Sequence, residues 1–321
     1  MLLRIANMRG VDLSVFDVDY DLTWNAIFLR PSGEALGRFG GRDAADSQKY
    51  LTIPALKASM QAALDRYRRD KPGPAPGKAV LAEDYPGAAK WPVDSCIHCH
   101  HVYELRRDQM QRDKRWSLDQ VWVYPEPENI GLSLDPEQGN RVLSVLPDSP
   151  AAKAGIAADD VLRSIGAAPI ASAADVQYAL HQGTKAGELS IAWRTGKDHK
   201  KAILQLGEGW RKTDVSWRWS LKTMSPNPSI IGSDLDDEAR KRFALDPRQL
   251  AFRQTAFLTP AARHAGLQTN DIIVGIDGKR LMMNAYQFEA HIRLNYHVGQ
   301  EVAFDVLRGK GEVKVKLRLP E

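Results

Sequence analysis

The residues best equipped for chemistry lie together in Cys96-Ile97-His98-Cys99-His100-His101. The spacing Cys-x-x-Cys-His is that of c-type haem attachment, in which two thiols add to the haem vinyl groups and the adjacent histidine binds iron. On that reading Cys96 and Cys99 hold the haem and His100 is the axial ligand. Three other readings stay open. Cys96 and Cys99 with His98, His100 or His101 offer thiolate and imidazole ligands that suit zinc or copper. The two cysteines also have the spacing of a redox-active dithiol, as in a thiol-disulfide oxidoreductase. Or they are reduced thiols with no role. No catalytic triad is legible, for the chain has no Gly-x-Ser-x-Gly. Gly40-Gly41-Arg42 lacks the glycine-lysine pair of a phosphate loop. The chain as given is not expected to be catalytic.

Composition narrows the setting. A chain of 321 residues suggests two or three domains. Hydrophobic residues at 43% and charged residues at 26% are globular values and exclude wholesale disorder. No apolar run reaches the roughly 18–20 residues of a membrane helix. A net charge of +4 does not argue for nucleic acid. Two cysteines exclude a disulfide scaffold and a four-cysteine zinc site. Met1 to Gly10 has an early arginine and no apolar core of signal-peptide length, so the chain as written is expected in the cytoplasm.

Four segments must position these residues. In 1–69, Leu2–Ile5 reads as a strand and Leu13–Phe16 as a turn or helical segment. Trp24–Leu29 and Ala35–Phe39 read as strands joined by the turn Pro31-Ser32-Gly33-Glu34. Ile53–Tyr67 has helical spacing at Leu56, Met60, Ala63, Leu64 and Tyr67. Residues 70–118 read as a linker. It opens with Lys71-Pro72-Gly73-Pro74-Ala75-Pro76-Gly77, carries the cysteines and ends in a charged helical stretch, Val102–Arg115.

Residues 119–208 and 209–321 are two copies of a repeat. Ser149-Pro150-Ala151-Ala152-Lys153-Ala154-Gly155-Ile156 and Asp160-Val161-Leu162 return as Thr259-Pro260-Ala261-Ala262-Arg263-His264-Ala265-Gly266-Leu267 and Asp271-Ile272-Ile273. An amphipathic helix and two strands close each copy. The repeat resembles PDZ domains of the bacterial, protease-associated type. The resemblance implies that Ile130, Gly131 and Leu132 form a carboxylate-binding loop. Leu132–Leu134 would then receive a peptide as an added strand, with Val176 and Leu180 facing the groove. The expected partners are protein C-termini or extended peptides. In the second copy, Asp234, Asp236 and Asp237 would repel a carboxylate. Trp217 and Trp219 alternate, as on one face of a strand.

Thr23–Gly41 with the following helix is similar to the second half of a thioredoxin fold, without the strand and helix that carry its redox motif. The chain as a whole resembles the thioredoxin-like/PDZ (seleno)protein family of bacteria. The matching segments are Asn7–Leu13, Asp19–Trp24, Gly37–Arg42, Cys96–His100 and both repeats. The implied fold class is α+β multidomain: a partial thioredoxin-like segment, a Cys-x-x-Cys-His linker element and two PDZ domains. The resemblance implies an exported, periplasmic redox-linked scaffold or sensor. It also implies an upstream redox segment and signal, lost if a selenocysteine codon was read as a stop. The alternative is a non-catalytic PDZ interaction module with structural or zinc-binding cysteines.

Overall fold

The computed structural model describes residues 1–73, 77–309 and 311–321. Pro74, Ala75 and Pro76 of the expected linker lie outside the described residues. The chain divides into two compact units, Met1–Thr213 and Asp214–Glu321.

The first unit opens irregularly. The strand expected at Leu2–Ile5 does not form, and Leu2 and Leu3 lie exposed, having no strand to pair with. A hairpin follows, β1 (Asn25–Leu29) and β2 (Ala35–Gly40), antiparallel with Asn25 opposite Gly40. Its turn closes through Arg30 N–H on the Glu34 carbonyl at 2.9 Å, with Gly33 at φ +87°. Then comes α1 (Ile53–Arg69), begun by Thr52, whose hydroxyl accepts from Ala55 N–H at 3.2 Å. The buried Arg30 closes the other end of α1, donating to the Asp70 carbonyl at 2.6 Å and the Tyr67 carbonyl at 3.2 Å. The hairpin pairs with no further strand among the described residues.

The expected linker is partly core. Short 3-10 turns at Ala82–Asp84 and Pro86–Lys90 bury Ala82 and Ala88. With Met8, Leu13, Tyr20, Ile97, Val102 and Leu105 they form a small cluster. Residues 7–9 hold the cysteine segment in place. Met8 N–H donates to the Ile97 carbonyl at 2.8 Å, and the Arg9 guanidinium donates to Ser95 and Pro92 carbonyls at 2.7 Å each. The charged stretch after the cysteines forms α2 (His101–Arg112).

The repeat of the first unit then unfolds in order. Strands β3 (Leu132–Leu134) and β4 (Val142–Val145) pair antiparallel. The short α3 (Pro150–Lys153) has Ser149 as its cap and Pro150 in its first turn. Next are β5 (Val161–Ile165), β6 (Ala168–Pro169), α4 (Ala173–Gln182), β7 (Gly187–Thr195) and β8 (Asp198–Leu206), with sheet order β6-β5-β7-β8. Leu162, Ile165, Ile191, Trp193 and Leu204 fill the core with Val176 and Leu180 of α4.

The hairpin docks on α4. The Asp175 carboxylate accepts Arg38 N–H at 3.0 Å and Ala171 N–H at 3.1 Å, and Ser172 Oγ donates to the Arg38 carbonyl at 2.6 Å. The Arg38 guanidinium lies 3.3 Å from the centre of the Tyr178 ring.

The second unit repeats the order of elements. Trp217 and Trp219 do not share a strand, because Trp219 opens a helical turn, α5 (Trp219–Lys222). Lys222 lies over the Trp219 ring at 4.4 Å. Then follow β9 (Gly232–Asp234), α6 (Asp237–Arg242), β10 (Phe252–Gln254), α7 (Pro260–His264), β11 (Ile272–Ile276), α8 (Ala285–Asn295), β12 (Glu301–Arg308) and β13 (Gly311–Arg318). The sheet order is β13-β12-β11-β10-β9, around Phe252, Phe288 and Phe304. The inserted helix α6 is tied down by the buried Arg240. Its guanidinium donates to the carbonyls of Leu235, Asp246, Gln249 and Ala251 at 3.1, 3.3, 2.6 and 3.3 Å.

Replacing Arg240 by Met strands those carbonyls. We expect a loss of about 2–4 kcal/mol in the unfolding free energy of the second unit, read by urea titration. Burial pushes the Asp175 carboxyl up to about 6 against an ordinary 3.8, with the Arg38 charge opposing. Between those values the folded state holds a proton that the unfolded state has lost. This group therefore adds stability as pH falls through 6. Unfolding at pH 7.5 and pH 5 should show a gain of about 1 kcal/mol in the native chain that is missing from Asp175→Asn.

Candidate peptide-binding groove and histidine cluster

The loop before β3 is a 3-10 turn, Pro127–Ile130, ended by Gly131 in the left-handed region at φ +86°. Gly131 N–H donates to the Glu128 carbonyl at 2.9 Å, and Leu146 N–H donates to the Gly131 carbonyl at 2.8 Å. A Cβ at Gly131 would lie 2.1 Å from the Ser149 side chain, so both conformation and space demand glycine. Among the described residues β3 pairs with β4 on one side only: Leu132 faces Val145 and Ser133 faces Ser144. It is therefore an edge strand, the feature that strand addition needs.

The structure brings Ile130, Leu132, Leu134, Val176 and Leu180 into one cluster, each 0% exposed. Gly131 is buried as well. A groove open to a peptide would leave such side chains accessible. Tyr50, 2% exposed, belongs to the same cluster. Residues 42–52 around Tyr50 are fixed at three points. The Arg42 carbonyl accepts from Gln177 Nε2 of α4 at 2.8 Å. Lys49 Nζ meets Glu128 at 2.9 Å and Asp43 at 2.8 Å. Thr52 Oγ1 donates to the Pro136 carbonyl at 3.1 Å. Burial alone lowers the pKa of Lys49, but its bonds to Asp43 and Glu128 outweigh that and raise it, so the ammonium stays charged.

The cysteine segment divides differently from its spacing. Cys96 is exposed, Cys99 is half-buried, and both are free thiols. Cys99 Sγ lies 3.7 Å from Met8 Sδ, and burial raises its thiol pKa, which disfavours the thiolate a redox dithiol needs. Haem attachment would use both thiols; as folded, Cys99 lies against Met8 and Cys96 stands in solvent. The histidines do converge. His100 and His101 rings lie 4.3 Å apart, and His98 lies 5.3 Å from His101 and 5.9 Å from His100. Glu104 joins them, buried, with Oε1 3.5 Å from His100 Nδ1. Burial, then the neighbouring His100, pushes the His101 pKa down to about 4. Glu104 was not singled out in the sequence; its i,i+4 spacing from His100 on α2 was the available signal.

In the second unit, two of the three acidic residues Asp234, Asp236 and Asp237 have structural partners. Asp234 accepts Ala285 N–H at the start of α8 at 3.0 Å, and Asp236 caps α6.

Comparison with known proteins bears on the repeat. The PDZ domain family matches residues 141–194. The chain is 27% identical over 63% of its length to a probable periplasmic serine endoprotease DegP-like of Marinomonas sp. (strain MWYL1), of which it covers 42%. It is 29% identical over 47% of its length to the periplasmic pH-dependent serine endoprotease DegQ of Escherichia coli (strain K12), of which it covers 30%. The chain thus spans less than half the length of these relatives. Among solved structures, an HtrA-type protease with a tripeptide aligns at 15% identity and a TM-score of 0.27, covering 39% of this chain and 42% of that one. No thioredoxin-like or selenoprotein family is supported. No helix among the described residues is long and apolar enough to cross a membrane. The chain is a mixed α/β protein that contains a PDZ domain and has distant HtrA/DegP-like homology.

Proposed function

We propose that the PDZ domain of the first unit recognises the C-terminal ends of other proteins in a groove that residues 42–52 of the chain itself hold closed. One observation carries this reading: the residues expected to meet a peptide are wholly buried in a cluster that includes Tyr50. Opening exposes the free edge of β3, which takes the incoming chain as an added strand. Backbone N–H groups of the Ile130-Gly131-Leu132 loop meet its terminal carboxylate. Affinity is then scaled by the fraction of molecules with the cover displaced.

The periplasmic relatives support an exported setting for this recognition. The protease activity in their names belongs to those proteins; the family match here falls on the recognition domain. The second unit serves as scaffold, since Asp234 already spends its carboxylate on α8. No step is assigned to haem or to a dithiol.

The test is fluorescence anisotropy with labelled peptides that end in a free carboxylate and apolar last residue. Tyr50→Ala should bind about tenfold or more tightly than the native chain, a difference of ~1.4 kcal/mol. Tyr50→Phe should behave as native, and C-terminal amidation of the peptide should abolish binding. Equal affinity of the native chain and Tyr50→Ala, with the fold intact by circular dichroism, would contradict the closed groove. Absence of binding in both would contradict peptide recognition.

A further inference from the structure

The start of α2 carries a second site, separate from the groove. We propose that His100, His101 and Glu104, with His98 as fourth ligand, bind a divalent transition-metal ion of the zinc class. One ligand atom from each of His100, His101 and Glu104 lies within 4.8 Å of the others. A tetrahedral zinc ion with bonds of about 2.0–2.2 Å draws its ligands together by only a modest further closure. Helical spacing makes this possible: His100 stands just before α2, His101 begins it, and Glu104 lies one turn on. Two or three imidazoles and one carboxylate suit zinc or copper rather than calcium or magnesium, which take oxygen ligands.

Further contacts bear on how these ligands are held. The Glu104 side chain is only 8% exposed, yet Lys90 Nζ reaches it at 3.1 Å. The Lys90 side chain is itself 53% exposed, so it can withdraw into water when a metal ion replaces it on the carboxylate. His101 is held flat against Trp91, ring centres 4.3 Å apart and 22° from parallel, which fixes one ligand ring in advance. His101 Nδ1 accepts the His98 N–H at 3.2 Å. Ligation at Nδ1 breaks that bond, and ligation at Nε2 requires Nδ1 to carry the proton, which also breaks it. Either way the His98 amide reports on metal binding.

This assignment moves the site off the cysteines that the Cys-x-x-Cys-His spacing suggested. Neither Cys96 nor Cys99 belongs to the converging set. The experiment is calorimetric titration of zinc sulfate into the reduced full chain at pH 7.5, with the His98 amide followed by NMR. We expect one equivalent to bind with micromolar or tighter affinity and the His98 amide to shift. The Cys96→Ser/Cys99→Ser double variant should bind as the native chain does. His100→Ala and the near-isosteric Glu104→Gln should each weaken binding at least tenfold. No stoichiometric binding by the native chain overturns the proposal. So does loss of binding in the cysteine double variant with retention in Glu104→Gln, since that would place the ion on the thiols.

Discussion

The docking of β2 on α4 is the contact on which the rest of the first unit depends. It is made by backbone groups that need partners once water is excluded. Asp175 is buried on α4, and its carboxylate accepts the N–H of Arg38 while Ser172 donates to the Arg38 carbonyl. Both polar groups of one β2 residue are thus satisfied by one helix start. The cost is a buried acid whose ionised form is disfavoured, offset in part by the Arg38 guanidinium. With β2 fixed there, the chain leaving Gly41 must run past Gln177, and the segment that follows is delivered to the loop before β3.

That delivery decides what the PDZ domain can do. An edge strand beside an apolar groove attracts any extended chain, including wrong ones. On the reading proposed above, Tyr50 covers that surface, buried in the same cluster as Leu132 and Leu134. The cover itself is no regular strand or helix. It is held by the Arg42 carbonyl on Gln177, by Lys49 bridging Asp43 and Glu128 and by one hydroxyl on the Pro136 carbonyl. Such a cover is suited to displacement by a ligand with better backbone pairing.

Local chemistry was legible where it repeats with a period or at a cap. The spacing of Leu56, Met60, Ala63 and Leu64 announced α1, and Ser149-Pro150 announced the turn that became α3. Pro31-Ser32-Gly33 announced the hairpin turn. Long-range contacts were not legible. Tyr50 sits in a polar, irregular stretch with no period to mark it as core. Glu104 is one more charge in the charged stretch Val102–Arg115, and no local pattern marks Arg240 as buried. Leu2–Ile5 failed for the opposite reason: an apolar run is a strand only when another strand receives it. The cysteine motif shows the limit most plainly. Its spacing is local, but Met8, ninety-one residues from Cys99, sets where that thiol points.

The closed groove is tested most directly by hydrogen exchange on the full chain with and without a saturating peptide that ends in a free carboxylate. If residues 42–52 are the cover, peptide will speed exchange at Lys49, Tyr50 and Leu51 while slowing it at Leu132, Ser133 and Leu134. If peptide binds and slows the β3 amides while residues 42–52 exchange as before, the cover lies outside the binding groove and the account is wrong.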